Sequence, residues 1–126
     1  MVLITGGRYQ GKMEYAQRRF RFQEADLAIC REDVPAIDFD KPCIAYIERY
    51  VLACLKQAMD PLAAFEPHLS DLRDKVILST DISCGVVPVE AQLRAWRDAC
   101  GRLNNALASA SDEVWRLFCG IPQRLK

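Results

Sequence analysis

Gly6-Gly7-Arg8-Tyr9-Gln10-Gly11-Lys12-Met13 is the stretch whose residue types and spacing could do chemistry most directly. It fits G-x-x-x-x-G-K, the Walker A phosphate-loop pattern, through Lys12. Glycines let the backbone curl so that successive N–H groups face a phosphate. A helix starting after the loop adds free N–H groups and the positive end of its dipole. The lysine then reaches the terminal phosphates as a point charge. A bare pattern of this kind is weak, and an ordinary glycine turn with a solvated lysine is the alternative. Here an apolar run, Met1–Thr5, stands directly before the glycines and a helical pattern directly after them, as a phosphate loop requires.

Met13 breaks the pattern. Ser or Thr normally stands there and places a hydroxyl on magnesium, and a thioether cannot replace a hard oxygen ligand. Losing one polar contact to a charged group costs roughly 1.5–3 kcal/mol, or about 10- to 100-fold in affinity. Weak nucleotide binding survives such a loss better than catalysis, which needs the metal accurately placed. Two acids follow apolar runs and are candidate holders of a magnesium-bound water: Glu48, just after Cys43–Ile47, and Asp81, just after Lys75–Thr80. Ligands of open α/β sheets bind beyond such strand ends, although acids there are also common as solvated residues or helix caps.

The elements that must position these residues read as an α/β domain with a mostly parallel sheet of about five strands. The strand candidates are Met1–Thr5, Asp26–Cys30, Cys43–Ile47, Lys75–Thr80 and Val114–Cys119. Continuous apolarity in the first and fourth fits strands covered on both faces. Helical patterns fall at Lys12–Phe22, Arg49–Met59, Pro61–Asp74 and about Pro88–Ala110. In the last, Val89, Leu93, Trp96, Cys100, Leu103 and Leu107 recur at spacings of four and three, one apolar stripe for the core. Arg31–Lys41 is polar and contains a proline, so it reads as a connection too short for a full crossover helix.

The chain has 126 residues, 51% hydrophobic and 27% charged, which suits one domain, residues 1–126, and excludes a disordered or collagen-like chain. No apolar run approaches the ~20 residues of a membrane span, and the N-terminus lacks the basic and apolar regions of a signal peptide, so a cytoplasmic protein is expected. With 17 basic and 17 acidic side chains the charge is balanced, which argues against a general nucleic-acid coat. Arg18, Arg19 and Arg21 lie beside Phe20 and Phe22, a set that could stack on bases, but solvated arginines with Phe20 packed inward are the expectation, and no nucleic-acid partner is assigned. Six cysteines lack any C-x-x-C pair and His68 is the single histidine, so zinc is poorly supported and most cysteines read as free and buried.

Thr80-Asp81-Ile82-Ser83-Cys84-Gly85-Val86-Val87-Pro88 is followed by Gly101-Arg102-Leu103-Asn104-Asn105, by Ala110-Ser111-Asp112-Glu113-Val114 and by Gly120-Ile121-Pro122-Gln123-Arg124-Leu125-Lys126. This series resembles the bifunctional adenosylcobinamide kinase/adenosylcobinamide-phosphate guanylyltransferase family of cobalamin biosynthesis. That family carries Asn-Glu-Val-Gly-x-Gly-Ile-Val-Pro, Gly-Arg-Leu-Asn-Gln, Ala-Asp-Glu-Val and a final Gly-Ile-Pro-x-x-Leu-Lys. The resemblance is strong over residues 1–13 and 75–126 and thin between. It implies a P-loop NTPase-like (RecA-like) three-layer fold, ATP or GTP with Mg²⁺, phosphorylation of a corrinoid, and GMP transfer through a guanylylated histidine. Together with the apolar content it favours a homo-oligomer.

Residue by residue, Gly6, Gly11 and Lys12 match the family's loop, and Asp81 keeps the charge of its Glu. Gly85, Val87, Pro88, Arg102 and Asn104 also match. Thr80 stands for Asn, Ser83 for Gly, and Glu48 falls near the family's acid after the third strand. The family's histidine lies between the second and third strands, where this chain has only the short 31–41 connection and no histidine. His68 lies beyond the third strand and does not take over the role. Two readings remain: a nucleotide-binding kinase-type relative without guanylyl transfer, using Lys12 and Asp81 in catalysis and Glu48 or Asp81 at the metal; or a degenerate, non-catalytic domain with a structural, regulatory or interaction role.

Overall fold

In a computed structural model describing all residues 1–126, six strands form one sheet in the order β2-β3-β4-β1-β5-β6. The strands are β1 (Val2–Gly6), β2 (Leu27–Ile29), β3 (Cys43–Ala45), β4 (Val76–Thr80), β5 (Glu113–Phe118) and β6 (Ile121–Arg124). Every pairing is parallel except that of β5 with β6. The expected mostly parallel α/β sheet is present, with one strand more than expected. β6 returns from β5 through Cys119 and Gly120, both at positive φ (49° and 76°), the backbone of a tight hairpin turn. Cysteine seldom takes that conformation, and Pro122 sits in the strand, which an edge position tolerates. Neither feature advertises a hairpin.

Alternation along the strands sends side chains to two faces. Leu3, Ile44, Ile77 and Val114 face one side, joined by Ile47, Val51, Phe65, Leu103 and Leu107 from the helices there. Ile4, Cys43, Ala45, Leu78 and Leu117 face the other, against Ala16. Helix α1 (Lys12–Phe20) therefore covers one face, and α2 (Ile47–Lys56), α3 (Pro61–Phe65) and α4 (Ala91–Ala110) cover the other. No helix is long and apolar enough to cross a membrane.

Several boundaries differ from the sequence-based ones for local reasons. α1 stops at Phe20 because Arg21 turns left-handed (φ 59°), letting Phe22 stack back on Phe20 at 5.5 Å. β3 ends at Ala45, and left-handed Tyr46 (φ 62°) swings Ile47 and Glu48 into α2. Asp60 caps α3, accepting from the amides of Leu62 (3.0 Å) and Ala63 (3.4 Å), and the stretch beyond tightens into a 3-10 turn over Glu66–Leu72. α4 begins only at Ala91, so Val89 lies outside the stripe and is 93% exposed, while Cys100, Leu103 and Leu107 are buried as expected. Four of the six free cysteines, Cys30, Cys43, Cys54 and Cys100, are buried; Cys84 and Cys119 are exposed. The 31–41 connection is irregular and is tied to its surroundings by Lys41, which donates to the Ala25 carbonyl at 2.8 Å, and by Lys56, which donates to that of Glu32 at 3.1 Å.

Chain paths diverge at the C-terminal ends of β1 and β4. From β1 the chain turns toward β2, whereas from β4 it crosses β1 to reach β5. Such a crevice is where open α/β sheets bind ligands. Gly6 shapes it: at φ 148° it lies so close to β5 that an added Cβ would sit 2.4 Å from the Leu117 carbonyl oxygen. Gly6→Ala is expected to cost roughly 2–5 kcal/mol from strain and overlap combined. Gly101→Ala, in the exposed middle of α4 with nothing within 4 Å, should instead stabilise by about 1 kcal/mol. Urea unfolding of the two variants checks both signs.

Candidate functional site

Between β1 and α1 the backbone bends through two left-handed residues, Tyr9 (φ 57°) and Gly11 (φ 82°). Such residues set among right-handed ones turn successive N–H groups into a concave, electropositive surface. The amides of Arg8 through Glu14 donate to no acceptor within the chain. Lys12, Met13 and Glu14 open α1, where no helix pairs its first amides, and with Arg8–Gly11 they form a continuous run of donors open to water or to an anion. Tyr9, fully exposed at the tip, takes no part in packing.

Lys12 is buried inside this bend. Its Nζ donates to the carbonyls of Gly7 (2.7 Å) and Gly6 (3.1 Å). Burial lowers its pKa from the ordinary 10.5, and the charges of Glu48, Glu14 and Asp81 oppose that shift. Gln10 ties the bend to the far edge of the sheet: its side-chain carbonyl accepts from the Cys119 amide and its main-chain carbonyl from Gly120 at 3.2 Å. The β5–β6 turn thus braces the loop, a role with no signature in the sequence.

A cavity of about 410 Å³ opens beside Lys12. Arg8 through Glu14 form one wall; Tyr46, Glu48 and Arg49, Thr80 and Trp96 form the others. Glu48 is buried, and its Oε2 accepts from the Thr80 amide at 3.0 Å. Its main-chain carbonyl accepts from the Trp96 indole N–H at 2.7 Å. The start of α2 is therefore pinned to β4 and to α4, and the carboxylate is fixed at the cavity. Trp96 belongs to the apolar stripe of α4 as expected, yet its polar edge works in this site. Thr80, Tyr46 and Arg49 likewise carry no motif of their own.

The loop residues Arg8–Met13 and Glu48 are brought together. Gly6 and Gly7 lie beneath, offering their carbonyls to Lys12. Asp81 is placed differently. It does not line the cavity; its Oδ1 accepts from the amide (2.9 Å) and hydroxyl of Ser83, and its Oδ2 from the Cys84 thiol at 3.4 Å. Burial raises its pKa, but the hydrogen bonds from Ser83 and Cys84 and the charge of Arg116 outweigh that and hold it below the ordinary 3.8. His68 is also elsewhere, stacked on Phe39 at 4.3 Å. Arg19, from the arginine-rich end of α1, pairs with Glu113 at 2.7 Å and lies over the Trp115 ring.

No cluster of three or more His, Cys, Asp or Glu side chains is placed to hold a metal by itself. Mg²⁺, however, is usually held by one or two carboxylates together with substrate phosphates and water. Glu48, with one oxygen engaged by Thr80, supplies one such carboxylate, while Met13 supplies no oxygen. The donor set fits a magnesium ion that arrives on phosphates and is reached through water.

Fold and site together define an α/β domain with an electropositive main-chain bend at the sheet's divergence point. The family model for cobinamide kinase / cobinamide phosphate guanyltransferase matches residues 43–125, and the chain belongs to that family. The bifunctional adenosylcobalamin biosynthesis protein CobU of Salmonella typhimurium is 39% identical over 51 residues, covering 40% of this chain and 28% of the relative. The Escherichia coli protein of the same name is 37% identical over 51 residues, with the same coverage. The aligned stretch therefore spans under a third of these relatives' length. The family match takes in residues 43–74, beyond the motifs that carry the resemblance, and starts after the glycine bend.

Proposed function

We propose that the chain binds a nucleoside triphosphate, ATP or GTP, on Gly6–Met13 in a P-loop-type arrangement, as a kinase-type member of its family acting on a cobinamide-type corrinoid. The run of unpaired amides around the buried Lys12 ammonium carries this reading. The amides would take the oxygens of the inner phosphates. Lys12 would exchange the carbonyls of Gly6 and Gly7 for a terminal phosphate oxygen, its charge supported by Asp81 and Glu14 nearby. Magnesium, when bound, neutralises charge on the transferred phosphoryl group; Glu48 is the carboxylate that would hold its water. Asp81 acts in this scheme through its field on Lys12. Exposed Val86, Val87, Phe118 and Ile121 favour assembly as a homo-oligomer.

Guanylyl transfer is absent from the proposal. A covalent phosphoramidate needs an imidazole nucleophile, and no histidine lies between β2 and β3. A second reading, a non-catalytic domain with a structural, regulatory or interaction role, is favoured by one observation, Met13. Its side chain packs against the cluster around Ala16 and Leu78 rather than offering an oxygen.

Calorimetry with ATP and GTP should give heat at millimolar ligand for the wild-type chain and none for Lys12→Ala; a silent wild type would defeat nucleotide binding. Met13→Ser should raise magnesium-dependent phosphorylation of cobinamide about 10- to 100-fold, the value of one restored polar contact. An unchanged rate would favour the non-catalytic reading. Incubation with labelled GTP should leave no GMP on the protein; acid-labile label on His68 would contradict that.

A further inference from the structure

Arg49 is a half-buried cation in the wall of the cavity that also holds Lys12. Its guanidinium lies over the Tyr46 ring, 4.3 Å from the centroid. That stacking fixes the planar group while leaving its N–H edge free. No carboxylate lies within ion-pair distance of it and no acceptor in the chain takes its hydrogens, although Glu32, Glu48 and Glu14 line the same cavity. Arg8, the other arginine of the cavity wall, is exposed on the bend and has no aromatic ring to hold it, whereas Arg94 and Arg97 hold main-chain carbonyls of the segment before α4 and Arg19 holds Glu113. The position is built as well. Left-handed Tyr46 sets the start of α2, and the neighbouring Glu48 is locked by Thr80 and Trp96. Arginine presents a fork of donors that matches phosphoryl oxygens, with aromatic stacking to preorganise it.

We propose that Arg49 is a second cationic contact for the terminal phosphoryl group, in the wall of the cavity that Lys12 also lines. This rests on the triphosphate reading above and adds a residue to it. The inner phosphates lie on the amides of the bend, whereas the terminal group projects into the cavity, where Arg49 meets it. The same chemistry could serve an anionic group on the phosphoryl acceptor, and comparing tri- and diphosphate separates the two sources.

The experiment measures, by titration calorimetry in magnesium buffer without acceptor, the affinity of wild type, Lys12→Ala, Arg49→Ala and Arg49→Lys for ATP and ADP, and for GTP and GDP. Arg49→Ala should weaken the triphosphate about 10- to 100-fold, the loss expected for one charge-assisted contact, and leave the diphosphate within about 2-fold. Arg49→Lys should recover part of the loss and retain the wild-type unfolding midpoint. Equal losses for tri- and diphosphate, or none for either, would overturn the role of Arg49 while the losses in Lys12→Ala uphold the triphosphate site; unchanged affinities would also point to an acceptor anion as its ligand. A wild-type chain that binds none of the four nucleotides overturns the triphosphate reading itself.

Discussion

The Lys12 ammonium sits inside the bend that follows β1, 2.7 Å from the Gly7 carbonyl and 3.1 Å from that of Gly6. Burial disfavours its charge, and only main-chain oxygens and the fields of nearby acids offset that cost. The bend around it is rich in unpaired donors as well. A cation among free N–H groups is an unfavourable combination unless something negative can come close. A polyanion would relieve both at once, and solvent relieves them only in part. The peculiarities of this region are the ones that phosphate binding would put to use.

Charge around the cavity is mixed, and the mixture has an order. Lys12, Arg8 and Arg49 face a space also lined by Glu14, Glu32 and Glu48. A triphosphate brings more negative charge than three cations hold in the presence of three acids, so a divalent cation would be needed to complete the balance. Glu48 is fixed for such a task by the Thr80 amide and by the Trp96 bond to its own carbonyl. Asp81 has given its oxygens to Ser83 and Cys84 and keeps only a longer-range influence on Lys12.

What the sequence disclosed follows from how local each signal is. The bend was legible because Gly6, Gly11 and Lys12 fall within one stretch of seven residues between an apolar run and a helical one. The parallel sheet was legible in its continuous apolar strands, and the helices in their spacing. β6 was not, because its turn uses left-handed Cys119 and its strand contains Pro122. The brace from Gln10 to the Cys119–Gly120 turn joins residues more than a hundred positions apart, and neither has a type that demands the other. Glu48 and Asp81 looked alike as acids after strands. Their difference arises only in three dimensions, where left-handed Tyr46 turns one inward and Ser83 draws the other aside. Trp96 shows the same limit: periodicity gave its face but not its indole's partner.

Met13 joins the two halves of the site's physics. A hydroxyl there would serve the metal, but it would also place a polar group against Ala16 and the sheet's apolar side chains. Methionine is flexible and polarisable, and it fills such a gap well. Methionine here gives packing against the sheet's apolar face in place of an oxygen donor. In the proposed site the amides and Lys12 would still anchor phosphates, while no side-chain oxygen at position 13 would reach the metal. Glu48 is then the carboxylate left to reach magnesium through water in the proposed site, so that placement of the metal, more than capture of the nucleotide, is where that site would depart from the ordinary phosphate loop.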